Sequence, residues 1–192
     1  DYRAALALLA APVMAALMLG SFARLGIIAV QGSFYPVHLD AVGLDAATIG
    51  ALIGAASLIG APSALLAGPL DRALPQIWTL IGLIALAIAT MTATPVIGDL
   101  PVFAALALLF GAAMGVTQAQ FLSLLGRHSP KDGQGLGVGL RTTFNRLGSF
   151  LAPVAMGAVA EAFGLTAGFA FAGALLMAAT LAMAALAWRA RL

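Results

Sequence analysis

The chain has 192 residues, of which 62% are hydrophobic and 8% charged, with a formal net charge of +2 and a mean hydropathy of +1.08. A soluble domain carries about 25% charged residues, so the solvent this sequence suits is a bilayer. The absence of cysteine excludes disulfides, thiolate metal sites and thiol catalysis. The small positive charge bears on membrane orientation and not on nucleic acid.

The chain opens on Asp1 and not on Met, as a fragment or a processed chain does. Residues 1–11 read as a linker or a short interfacial segment. Pro12 opens the first span, about 12–38, because its missing N–H is unsatisfied at a helix start anyway. Gly43-Leu44-Asp45 is a turn, and Asp45 can cap the second span, about 46–69. Gly68-Pro69-Leu70-Asp71-Arg72 ends it. Pro75 opens the third span, 75–95, and Pro101 opens the fourth, 101–125. The loop 126–135 is the most polar stretch. The fifth span is about 135–160. Gly164 turns the chain, and Thr166 can cap the sixth span, 166–188. Each span has the roughly 20 residues a bilayer core requires. The apolar runs are far longer than the about 10 residues of a barrel strand. The expected fold is therefore all-α, a polytopic bundle of six transmembrane helices.

Basic residues mark alternate ends of these spans: Arg3, Arg72, Arg127 and Lys131, Arg189 and Arg191. The other ends hold Asp40, Asp45, Asp99 and Glu161 and no Lys or Arg. The positive-inside rule then puts both termini in the cytoplasm, in a multi-pass plasma membrane, for a bacterium the inner membrane. A weak repeat links the second and fifth spans. Each has a mid-helix proline, Pro62 or Pro153, after a small residue, then more small residues, then an acid eight or nine positions on. The two copies cross in opposite directions, as a pair of inverted three-helix repeats does.

Polar residues concentrate in three spans. On the first, Arg24, Gln31, Tyr35 and His38 fall within about 60° of one another at 100° per residue. His38 lies near the outer surface and reads as interfacial. The fourth span carries Thr117, Gln118 and Gln120. The fifth carries Arg141, Asn145 and Arg146 among close-packing glycines. The third and sixth hold no ionisable group in their interiors and suit lipid-facing positions. Charges at bilayer depth are costly and normally face protein or a polar path, so these groups are candidate pathway residues. Each also has a bland reading. Arg141 can snorkel to lipid phosphates, Arg146 can form a structural tether, Tyr35 can belong to an aromatic belt, and Asp71 can cap or pair locally. No paired carboxylates, metal-ligand set or nucleophile with a base lies at membrane depth. No cofactor or metal is expected, and the chain does not read as an enzyme.

Several pieces together resemble the major facilitator superfamily (MFS), over about residues 12–190. They are Phe34-Tyr35-Pro36-Val37-His38-Leu39, Gly43-Leu44-Asp45 with Ile49-Gly50, the turn from Gly68 to Asp71 and Arg72, and the run Leu147-Gly148 to Pro153 and Gly157. The chain looks like the carboxy-terminal six-helix half of such a transporter. The loop at Asp71-Arg72 is a degenerate form of the family's signature, with Pro75 and Gln76 where two basic residues stand. Ala152-Pro153 occupies the place of the Gly-Pro pair of its proton-driven drug exporters. The resemblance implies half of a secondary active transporter for a small solute. Its first and fourth helices would line a cavity, and its partners would be the lipid bilayer, a second six-helix half and a small-molecule substrate. All three interior cations are arginines, which favours an anionic substrate. The other reading is a non-transporting membrane scaffold or assembly subunit.

Overall fold

A computed structural model describes residues 8–128 and 134–191. Arg3, Lys131, most of the expected linker and the centre of the polar loop lie outside the described residues. The described residues are helical with no strand. α1 spans Pro12–Ala41 and has Pro12 at its first position. α2, Ala46–Ser63, passes through a 3₁₀ turn, Ala64–Leu66, into the short α3, Ala67–Ala73. α4 is Gln76–Ala93, followed by a 3₁₀ turn at Thr94–Val96. α5 is Leu100–His128, α6 Gln134–Phe163 and α7 Leu165–Arg189.

The ends follow local chemistry. Asp45 caps α2, accepting from the Thr48 N–H at 2.9 Å and from the Thr48 hydroxyl at 2.8 Å. The cap expected at Thr166 does not form. α7 starts one residue after Gly164, whose φ of 89° is open to glycine, and no side chain caps it. The break after α2 follows Pro62, which cannot donate to the carbonyl four residues back and so disturbs the helix around it. Pro153 sits inside α6 without breaking it.

Five helical stretches are long and apolar enough to cross a membrane: Pro12–Ala41, Ala46–Ala73, Gln76–Val96, Leu100–His128 and Leu165–Arg189. α6 has the length, 30 residues, but is less apolar because Arg141, Asn145, Arg146 and several glycines interrupt it. The protein is thus an all-helical, polytopic membrane protein.

α1 is the organising helix. It packs most extensively on α6 and also on α7, and the other large contacts include α2 on α5 and α4 on α5. Exchanging the first three spans for the last three converts the α1–α6 contact into α5–α2, and α1–α7 into α5–α4. That is the pairing that two three-span repeats give. The symmetry is imperfect: α6 leans on α7, while α2 stands away from α4. Close approach depends on small residues, as lipid offers no hydrophobic drive between helices. A side chain at Gly111 or Gly115 of α5 would run into the backbone of Ala56 or Gly60 on α2. One at Gly148 of α6 would meet the Phe22 carbonyl on α1. Gly157 makes only ordinary contact with Phe34.

The main core joins α1, α4, α5 and α7 through residues such as Leu17, Ile27, Ile84, Phe121, Leu176 and Met183. The third and sixth spans are therefore not merely lipid-facing. α4 and α7 pack against each other and both contribute core side chains. A smaller cluster of Tyr35, Leu39, Ile49, Leu52 and Phe103 closes the opposite end.

Candidate functional site

The polar face of α1 is turned toward α5 and touches it at Arg24. At mid-helix Arg24 is 7% exposed. Its Nε donates to Thr117 Oγ1 at 3.1 Å, and its Nη2 donates to the Met114 carbonyl at 3.1 Å. The Thr117 hydroxyl donates to that same carbonyl at 3.0 Å. An arginine has five N–H donors, so these bonds leave part of the guanidinium uncommitted.

Two turns further along α1, Gln31 and Tyr35 face a cavity of about 260 Å³ between α1, α2 and α5. Ile28, Ile53, Ser57 and Phe110 complete much of its wall. Gln31 Oε1 and Tyr35 Oη are buried, and neither has a hydrogen-bond partner in the protein. The Ser57 hydroxyl is directed to the Ile53 carbonyl at 3.0 Å, within its own helix. A second hollow of about 170 Å³ shares Ile28, Ala56, Ser57 and Phe110 and extends to Met114 and Gly115. The two form one groove, and Met114, whose carbonyl holds Arg24, lies at its far end.

α6 brings further cations. Arg141 stacks over the Phe121 ring, 5.4 Å from Cζ to centroid, and its buried Nε has no protein partner. This is a cation–π contact with α5 and not a side chain extended to lipid phosphates. Arg24 and Arg141 both rest on α5, at Thr117 and at Phe121. Asn145 Oδ1 is also buried without a protein partner. Arg146 is exposed, in an open depression with Thr142, Thr143, Leu147 and Phe150. Gln118 is half-buried.

One expected pathway group, Gln120, is committed elsewhere. Gln120 is fully buried and its Nε2 donates to Asp71 Oδ1 at 2.7 Å. The Gln76 amide donates to Asp71 Oδ2 at 2.7 Å. Asp71 therefore does more than cap locally: it ties the end of the second span to α4 and α5. Arg72 and Gly68 beside it are exposed, and no atom approaches a side chain built at Gly68. His38 lies three residues before the end of α1. It is buried, edge-on to Phe103 and Phe169 at 6.1 and 6.0 Å.

Sequence reasoning named Thr117 but missed the apolar residues that share its face of α5. Ala107, Phe110, Met114, Thr117 and Phe121 recur every three or four residues and so share one face. That spacing was the available signal, diluted by the apolar residues all round the helix. No group of three metal-ligating side chains exists among the described residues.

The family profile described as Major Facilitator Superfamily covers residues 17–191. No curated protein matches the chain.

Proposed function

Because the chain belongs to the major facilitator superfamily, we propose that it forms one half of a secondary active transporter and binds a small solute in the α1–α2–α5 groove. The membrane-transporter assignment follows from the family; the site, the solute and the half-transporter arrangement are our reading. The observation that carries it is that Gln31 and Tyr35 line the cavity and each holds a buried polar atom, Oε1 and Oη, without a protein partner. Each such atom costs about 1–3 kcal/mol if nothing meets it, so a solute that does so binds with specificity.

The groove is open along α2, the least buried of the five apolar stretches. We assign that opening to a second six-helix half, in the same polypeptide or in a dimer partner. The two halves would rock around the central site in alternating access. α6 crosses the membrane in this arrangement, with both termini cytoplasmic and the protein in a bacterial inner membrane.

The solute is anionic in this reading. The ionisable side chains along the pathway are Arg24, Arg141 and Arg146, and no carboxylate pairs with them among the described residues. Arg24 can present its remaining donors to a carboxylate or phosphate in a fork. The test is transport by the complete protein in proteoliposomes, with small carboxylates and phosphates as candidate substrates. Arg24→Gln should weaken binding of the transported anion by roughly tenfold or more, and Arg24→Lys less, because lysine keeps the charge and loses the fork. Unchanged affinity and transport in Arg24→Gln would remove the anion reading. Arg24's two bonds to α5 favour a second reading, a non-transporting scaffold. In that case Arg24→Gln lowers the unfolding temperature and no solute binds.

A further inference from the structure

We propose that the hollow at the shared end of α4 and α7 binds the phosphate headgroup of an anionic phospholipid. Among the described residues it is lined by Trp78, Trp188, Arg189 and Arg191 and encloses about 560 Å³. It lies apart from the groove and uses none of its residues. The two indoles meet edge to face, with centroids 6.2 Å apart and planes at 77°. Trp188 is 76% exposed, which places a large amphipathic ring at the end of a membrane helix. Indoles settle at headgroup level, between acyl chain and water.

The backbone makes the two cations converge. At 100° per residue, positions 189 and 191 of a continuing helix would point about 200° apart. The helix instead stops at Arg189, and Arg191 takes a φ of 55°, the left-handed conformation usual for glycine at this place. Its N–H closes onto the Trp188 carbonyl at 3.0 Å. The reversal brings both guanidiniums to one hollow. Neither has a carboxylate or hydrogen-bond partner among the described residues. Two uncommitted guanidiniums are matched by phosphate oxygens. A soluble phosphate offers the same oxygens, but a lipid also brings acyl chain to the exposed Trp188 ring. A basic pocket between membrane helices, at headgroup depth, is where anionic lipids are held.

The two tryptophans of these 192 residues are both in this hollow, so once any tryptophan outside them is replaced by phenylalanine, indole fluorescence reports on it alone. The purified complete protein is placed in nanodiscs of phosphatidylcholine containing a low mole fraction of phosphatidylglycerol. Either the one lipid or the other carries brominated chains, at equal fraction. Brominated phosphatidylglycerol should quench more strongly, with an apparent enrichment on the order of tenfold. The double substitution Arg189→Gln with Arg191→Gln should abolish the excess while quenching by brominated phosphatidylcholine stays the same, which shows that the fold survives. Arg191→Gly suits the left-handed backbone and should reduce the excess without loss of stability. Arg127→Gln removes a cation from the same end of the bundle but outside the hollow, and should leave the excess intact. Equal quenching by the two lipids, or an excess that persists in the double variant, overturns the proposal. So does suppression by millimolar inorganic phosphate, which would mark a site for the free ion.

Discussion

Asp45 shows how much one side chain can fix. Its carboxylate takes the Thr48 N–H and the Thr48 hydroxyl, and these two bonds hold its pKa below the ordinary carboxylate value. A depressed pKa means that the folded state prefers the charged form. The stabilisation is therefore present above the unfolded-state pKa of about 3.9 and is lost as pH falls through the lower folded value. Asp45→Ala should lower the unfolding temperature at neutral pH, and the gap to the parent protein should narrow steadily below pH of about 4. A gap that stays constant across this range would show that the cap works through shape and not through charge. This cap was legible because it needs only an acid before an apolar run. Asp71 was less legible. Its partner Gln120 lies 49 residues away, and no local pattern announces such a pairing.

Two classes of glycine occupy the helices, and the sequence does not separate them. Gly111, Gly115 and Gly148 let backbones touch, whereas nothing lies near a side chain built at Gly50, Gly54 or Gly82. Gly115→Ala should force α5 off α2 and cost about 1–3 kcal/mol, as overpacking does. Gly54→Ala should be neutral or gain up to about 1 kcal/mol, since alanine is the better helix former. Thermal unfolding in detergent measures both, and equal shifts for the two would contradict the packing described here. The fifth span could be read as a close-packing helix because its glycines stand beside charged residues. Gly111 and Gly115 lie in a run of alanine and leucine with no contrast from face to face, so their role became visible only in three dimensions. The polar stripe on α1 was legible for the opposite reason. Four polar side chains on an apolar helix define a face without any partner, although what lay opposite (the Met114 carbonyl, the Phe110 and Phe121 rings) could not be inferred.

At the scale of the whole molecule, α6 decides the topology. Its 30 residues reach about 45 Å, enough for a hydrocarbon core of about 30 Å. Its composition argues the other way, since an arginine at the centre of a lone helix costs about 2.5–3.5 kcal/mol or more and α6 has two. Packing can resolve the conflict: α6 makes its largest contact with α1, and Arg141 rests on Phe121 and not in lipid. If α6 crosses, its two ends lie on opposite sides of the membrane, and the basic ends of all the helices share one side. These 192 residues hold no cysteine, so once any cysteine outside them is replaced, single introduced thiols report without background. Gly98→Cys, Gly126→Cys and Phe163→Cys place them at exposed positions and leave every charged residue in place. With an impermeant maleimide on intact cells, Gly98→Cys and Phe163→Cys should label at once, and Gly126→Cys only after permeabilisation. Labelling of Phe163→Cys from the same side as Gly126→Cys would leave five crossings and place α6 along the surface. In that outcome the cations of α6 would face water or headgroups, Arg24 alone would remain at depth, and the inverted repeat would fail with it.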